Sequence, residues 1–435
     1  MPLLLAEATV STPFLVLAWL AITATAIVIV VALFDPGLRY RVAAANSPDN
    51  GSAEFIRTLE ALTDAKVNQS ANLSVLTNGN LFYEEELEAI SGAAQTVCLE
   101  AYIFQESEIG KRFVDALTER ARAGLRVKVV LDALGSARVG KDYFRDFTSA
   151  GGKLAWYNSA RWNKLPRFNN RTHRELLVID GKTGFIGGAG IADQWYKARP
   201  RHPRWRDTMV KVVGLPVAHL QATFAENWLE ASGELLTGTD YFPELTDSDD
   251  QKNAVLVVSS SPTSGGMTHA RVLFQLLIAS AQKSVHITTP YFLPDKSFSD
   301  ELVRAVRRGV DVKIVVPGRR SDIYLTRASS RGGYGRLLKA GADIYEYLPA
   351  MIHAKVLLID GVWGVVGSTN CDYRSFGLND EVNLVVCDST FVGRLQEDFV
   401  ADISNSEQIT YERWRNRNIV ERAPELFGWI LERQQ

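Results

Sequence analysis

A chain of 435 residues has room for two ordinary domains and an appendage, and its 46% hydrophobic and 23% charged residues exclude a disordered or low-complexity protein. A formal net charge of −2 excludes the basic excess of a dedicated nucleic-acid binder, so any anionic partner must be met by local basic patches. Three scattered cysteines, Cys98, Cys371 and Cys387, make neither a disulfide framework nor a zinc site and fit a reducing compartment.

In chain order, the first predicted element is apolar. From Thr9 to Phe34 no residue is charged, and PFLVLAWLAITATAIVIVVALF (13–34) reads as one helix. At about 1.5 Å per residue it covers roughly 33 Å, enough for a hydrocarbon core. A cleaved signal peptide fits less well, because the run is long, no basic residue precedes it and no clean A-x-A site follows. Arg39 and Arg41 follow the run while only Glu7 is charged before it, so the positive-inside rule orients the body toward the cytoplasm. The expectation is a single-pass anchor over residues 1–45 in the cell (inner) membrane.

Beyond it the chain repeats itself. TVCLEAYIF (96–104) parallels SVHITTPYF (284–292), each an apolar strand ending in aromatics. Helical stretches follow, GKRFVDALTERARAG and KSFSDELVRAVRRG, each stopping at a glycine, Gly124 or Gly309. Next come the buried-type strands LRVKVVLD and VDVKIVVPG, then AGGKLAWY and AGADIYEY, and finally RTHRELLVIDG (171–181) and MIHAKVLLIDG (351–361). Several elements recurring in order mark a duplication. Strands alternating with helices predict an α/β fold: two pseudo-symmetric α/β/α sandwich domains with mixed sheets. The breaker-rich segment 235–253 separates residues 46–240 from 254–435. The tail, with Leu426, Phe427, Trp429, Ile430 and Leu431, reads as a docked helix, with a membrane-surface contact as the alternative.

The repeated segment carries the candidate chemistry. In a strand, alternate residues share a face, which places His353 and Lys355 side by side. Asp360-Gly361 is a hairpin turn, and the return strand presents Gly367, Ser368 and Asn370 at the same edge. A histidine, a cation and small hydrogen-bonding groups suit a tetrahedral phosphoryl group. Asp180 and Asp360 are assigned to the turns and not to catalysis. The other histidines, His202, His219, His269 and His286, form no ligand cluster, so neither a metal nor another cofactor is expected.

HAKVLLIDGVWGVVGSTN has the H-x-K-x4-D-x6-G-S-x-N pattern of the phospholipase D superfamily, and HRELLVIDGKTGFIGGAG resembles a degenerate first copy. With the anchor, the chain resembles bacterial cardiolipin synthases and related phosphatidyltransferases. The resemblance implies two phospholipase D-like domains sharing one site at their interface. It also implies a phosphohistidine intermediate, His173 as nucleophile and His353 as acid and base. Asp207 and Glu381, each just before an apolar strand, are the matching orienting carboxylates. Tyr102 and Tyr291 are candidate pocket walls, and Gly187 and Gly188 remain from the first motif.

The first copy departs from the pattern: Glu175 stands where the lysine belongs and Gly190 where the asparagine belongs. Glu175 can pair with Arg171 or another arginine, can recognise or deprotonate a hydroxyl of the acceptor, or can mark a half that has lost catalysis. Basic loops at 161–171, 197–206 and 318–336, interleaved with Trp162, Phe168, Trp195, Trp205 and Tyr324, suggest a surface for anionic lipid head groups. The expected partners are therefore anionic membrane phospholipids such as phosphatidylglycerol, with no nucleic acid and no obligate protein partner. The expected reaction converts two phosphatidylglycerols to cardiolipin and glycerol. Hydrolysis to phosphatidic acid is the alternative, and non-catalytic lipid binding a further one.

Overall fold

The structure, a computed structural model, describes residues 12–34, 40–42, 49–69, 71–140, 142–158, 169–200, 202–245, 253–262, 267–418 and 422. The apolar tail cluster beyond residue 422, Trp162 and Phe168 lie outside the described residues. By internal contacts the chain divides into Met1–Arg39 and Tyr40–Gln435. The first unit carries α1 (Thr12–Phe34), a helix of 23 residues. Counting only residues whose side chains are described, no helix is long and apolar enough to cross a membrane.

The second unit opens with α2 (Ala53–Thr63), β1 (Asn68–Gln69), β2 (Ala71–Thr77), α3 (Gly79–Ser91) and β3 (Thr96–Ala101). Next come α4 (Glu108–Arg122), β4 (Arg126–Asp132), α5 (Arg145–Ser149), β5 (Lys153–Tyr157) and β6 (Arg171–Thr172). The first half closes with β7 (Glu175–Ile179), β8 (Thr183–Gly187), α6 (Asp193–Tyr196), β9 (Thr208–Gly214) and α7 (Pro216–Ser232). The second half repeats the plan: β10 (Ala254–Ser260), α8 (His269–Ser280), β11 (Ser284–Thr288), β12 (Phe292–Leu293), α9 (Lys296–Arg307) and β13 (Asp311–Pro317). It continues with α10 (Tyr324–Ala340), β14 (Asp343–Tyr347), β15 (Val356–Ile359), β16 (Trp363–Gly367), β17 (Cys371–Asp372) and α11 (Tyr373–Gly377). It ends with β18 (Asn379–Cys387), α12 (Ser389–Ser404), β19 (Ser406–Ile409) and α13 (Tyr411–Arg415).

The two matching helices α4 and α9 begin where the sequence supplies caps. Ser107 accepts from the Gly110 amide at α4 and Asp295 from the Phe298 amide at α9. Each then buries one apolar face, Ile109, Phe113 and Leu117 in α4 and Phe298, Leu302 and Ala305 in α9.

One sheet has the order β2-β9-β8-β7-β3-β4-β5. The other contains β10-β18-β16-β15-β11-β13-β14, the same order strand for strand, widened by β1 and β19 at its edges. Both are mixed: β3 runs parallel to β4 and antiparallel to β7, as β11 does to β13 and β15. Residues 53–69, grouped by sequence with the first half, belong to the second sheet, since β1 pairs with β10 and Phe55 and Leu59 enter its outer core. The halves also share a core. Val178, Val210 and Phe224 of the first pack in one cluster with Val257, Leu358 and Val382 of the second.

Two aspartates fix the motif hairpins. Asp180 and Asp360 have left-handed backbones, φ 53° and 56°, a conformation that Asp tolerates better than most residues. The Asp180 carboxylate accepts from the amides of Ala94, Gln95 and Thr96 at 2.7–2.9 Å, and Asp360 from Gln282, Lys283 and Ser284 at 2.7–2.8 Å. Each aspartate thus ties its hairpin to the start of the neighbouring central strand. Asp360→Ala should cost about 2–3 kcal/mol, from lost acceptors and a strained turn, while Asp360→Asn should cost about half as much. Urea unfolding of the two variants measures this, and equal costs would place the effect elsewhere.

Candidate active site

Each motif histidine is held by the opposite half of the chain. β6 runs parallel to the start of β18, and the His173 amide donates to Asp380 O at 2.9 Å. That places the His173 ring against the next residue, Glu381, with Nδ1 3.1 Å from both carboxylate oxygens. The other motif does the same in reverse. The His353 amide donates to Arg206 O at 2.7 Å, and His353 Nδ1 lies 3.0 Å from Asp207 Oδ2. An ionised carboxylate only accepts, so each Nδ1 carries the proton and Nε2 is left for chemistry.

Further groups fix the carboxylates. Asp207 Oδ2 accepts from Trp195 Nε1 at 2.9 Å, and its Oδ1 from the Thr208 amide at 2.8 Å. Glu381 accepts from the Ser368 hydroxyl. Burial raises the Asp207 carboxyl, but the His353 hydrogen bond and the Lys355 charge outweigh it and hold the group below its ordinary value. Burial and the Lys355 charge push His353 below the ordinary histidine value, against the pull of Asp207.

Lys355 occupies the centre. Its Nζ donates to His353 O at 2.8 Å and Gly188 O at 3.3 Å, bridging the halves, and touches His353 Nδ1 at 2.8 Å. Burial lowers its affinity for a proton, opposed by Asp207, Glu381, Glu175 and Asp322. Carboxylates paired with two different histidines thus act on one lysine, which joins the two half-sites. A methyl group on Gly188 would lie 2.8 Å from Lys355 Nζ and 3.1 Å from Asp207 Oδ1, so only glycine leaves room for this reach.

The walls are aromatic. Tyr102 meets His173 edge-on at 5.2 Å between ring centres, and Tyr291 meets His353 at 6.3 Å. Tyr291 Oη donates to Asp322 Oδ2 at 2.6 Å. Ser368 and Asn370 are buried, and Asn370 Oδ1 has no partner among the described residues. Gly187 and Gly367 lie where β8 and β16 press on the next strand, within 2.5 Å of Thr208 O and 2.3 Å of Val382 O from an added Cβ.

Three expectations need correction. His353 and Lys355 precede β15, so they meet not by strand alternation but because Lys355 Nζ folds back onto the His353 ring and carbonyl. Arg171 and Glu175 do not pair, because β6 joins the second sheet and β7 the first. Arg171 is buried and contacts Asp132 Oδ1 and Asn158 O, both at 3.4 Å, while Glu175 Oε1 accepts from the Tyr102 and Ile103 amides at 3.2 and 3.4 Å. Trp195 is no part of an exposed face: it is fully buried behind Asp207, and Trp205 is half-buried against His353. Sequence reasoning missed Trp195 as a carboxylate partner and Asp322 altogether. Tryptophan in a basic loop carries no signal of its fold position, and Asp322 has no counterpart in the first copy.

A family model described as cardiolipin synthase, PLD-like domain, matches residues 87–224 and 275–403. A cardiolipin synthase of Halalkalibacterium halodurans is 34% identical over 368 residues, covering 83% of this chain and 72% of that protein. The major cardiolipin synthase of Bacillus subtilis is 33% identical over 363 residues, covering 83% and 74%. Among solved structures, the phosphatidylserine synthase of Haemophilus influenzae shares the fold with a TM-score of 0.65 at 15% identity, over 87% of this chain and 96% of that one.

The His353–Asp207 pair has a pH signature. Folding lowers the Asp207 carboxyl, so its ionised form stabilises the fold above the ordinary value of 3.8, and that contribution fades as pH falls through the lower folded value. Asp207→Asn should therefore be less stable than the parent at pH 7, with the gap closing as pH falls below 3.8. Urea midpoints across that range test this, and a gap independent of pH contradicts it.

Proposed function

The chain belongs to the cardiolipin synthase family of phospholipase D-like proteins, and from that premise we propose that it is a membrane-anchored phosphatidyltransferase that makes cardiolipin and glycerol from two phosphatidylglycerols. The observation that carries the reading is the crossed pairing: two histidines are each oriented by a carboxylate of the other half, and both carboxylates act on one buried lysine.

In the first step His173 Nε2 attacks phosphorus and the bond to the glycerol oxygen breaks. His353 gives that oxygen its proton, leaving a phosphatidyl-histidine and free glycerol. A hydroxyl of the second phosphatidylglycerol then returns a proton to His353 and attacks phosphorus, releasing His173. Lys355, with Ser368 and Asn370, faces the phosphoryl oxygens. The bound phosphodiester anion offsets the Lys355 charge and raises His353 toward its titration range, so the acid becomes charged as substrate arrives.

The uncharged stretch of α1, followed by Arg39 and Arg41, supports an anchor with the body on the cytoplasmic side. Leu134 after β4, and Ile323 and Tyr324 after β13, are 57%, 48% and 66% exposed at the strand ends that also deliver the site loops. Apolar side chains there favour contact with lipid.

Expression in cells lacking cardiolipin should restore it, and His173→Ala or His353→Ala should abolish the restoration while the protein remains in the membrane. Phosphatidic acid accumulating in place of cardiolipin would point to hydrolysis, and unchanged lipids would sink the assignment. For the acid role, the alkaline limb of kcat should lie at higher pH than that of kcat/KM, because the first reports bound and the second free enzyme. Coincident limbs would remove His353 as the acid.

A further inference from the structure

Glu175 breaks the symmetry of the site in a way its surroundings have adapted to. It opens β7, is 6% exposed, and holds the Tyr102 and Ile103 amides with Oε1 alone. Oε2 has no partner among the described residues. The position matching Asn370 is Gly190, where an added Cβ would lie 3.1 Å from Glu175 Oε1 and 2.6 Å from Ile103 O. The first half thus has neither the lysine nor the asparagine of the second, and the missing lysine is covered by Lys355 reaching across to Gly188.

The phosphoryl clamp is accordingly one-sided. Lys355, Ser368 and Asn370 belong to the second half, while the first offers a carboxyl group beside Tyr102 and His173. A carboxyl oxygen is a poor neighbour for a phosphate oxygen and a good acceptor for an alcohol hydroxyl. Resting on the transferase reading above, we propose that Glu175 is a specificity-determining residue: its Oε2 receives a second hydroxyl of the acceptor head group, so that the site favours polyol acceptors over monohydric alcohols and water. Burial raises the Glu175 carboxyl above its ordinary value, against the two amides and Lys355.

The test uses the purified full chain in phosphatidylglycerol vesicles, with glycerol, 1-propanol and water as competing acceptors of the phosphatidyl group. In Glu175→Leu the preference for glycerol over 1-propanol should fall about tenfold or more, through a higher KM for glycerol, with the KM for donor lipid unchanged. Glu175→Gln, which keeps an acceptor for the two amides but puts an NH2 donor where Oε2 stood, should stay active and lose part of the preference. Unchanged product ratios in an active Glu175→Leu overturn the proposal. So does a uniform fall in all three products in both variants, which marks a structural role. A wild-type chain that transfers to no acceptor fails the transferase reading itself, and this inference falls with it.

Discussion

The hydrogen bonds from the His173 amide to Asp380 O and from the His353 amide to Arg206 O are the constraint on which the site depends. Each fixes the register between one half's motif and the other half's last strand, so the residue after each acceptor, Glu381 or Asp207, falls opposite a histidine ring. Neither half can orient its own imidazole. The shared core beneath, with α7 and α12 among its members, holds the sheets in this relation. Arg206 reinforces it from below, bonding Asp402 at 3.1 Å and Thr208 Oγ1 at 2.7 Å while its carbonyl receives His353.

A register held this tightly allows charges to be buried that would otherwise be costly. A lone lysine inside a protein tends to lose its proton. Lys355 sits among Asp207, Glu381, Glu175 and Asp322, and these four counter the effect of burial. The same lysine pushes His353 toward neutrality and holds Asp207 ionised. On the transferase reading proposed above, a phosphodiester arriving at Lys355 offsets this charge and raises His353, the direction an acid needs.

Much of the fold was legible because duplication repeats its own signals. Apolar strands ending in AYIF and TPYF, helices stopping at Gly124 and Gly309, and Asp-Gly turns are local patterns set by neighbours in sequence, and they recur as two sheets of one order. The histidines, Lys355 and the two carboxylates were also visible, because each lies beside a strand in a matching place. What the sequence hid was connectivity between halves. Periodicity within a strand cannot tell that Arg171 leaves the sheet that Glu175 enters, that residues 53–69 cross to the second sheet, or that Trp195 turns inward to Asp207.

The asymmetry of the motifs follows from the same crossing. In a site with two separate clamps, losing the first lysine would leave one phosphoryl side unheld. Here Lys355 already extends over the first half, and Gly188, where the second copy has Ser368, provides the space it extends into. A second lysine at position 175 would bring a like charge toward the first with no added carboxylate to balance it. Glu175, seated on two amides and packed over Gly190, fills the position instead. The residues that make the first motif look degraded, Glu175, Gly188 and Gly190, therefore fit together as a set.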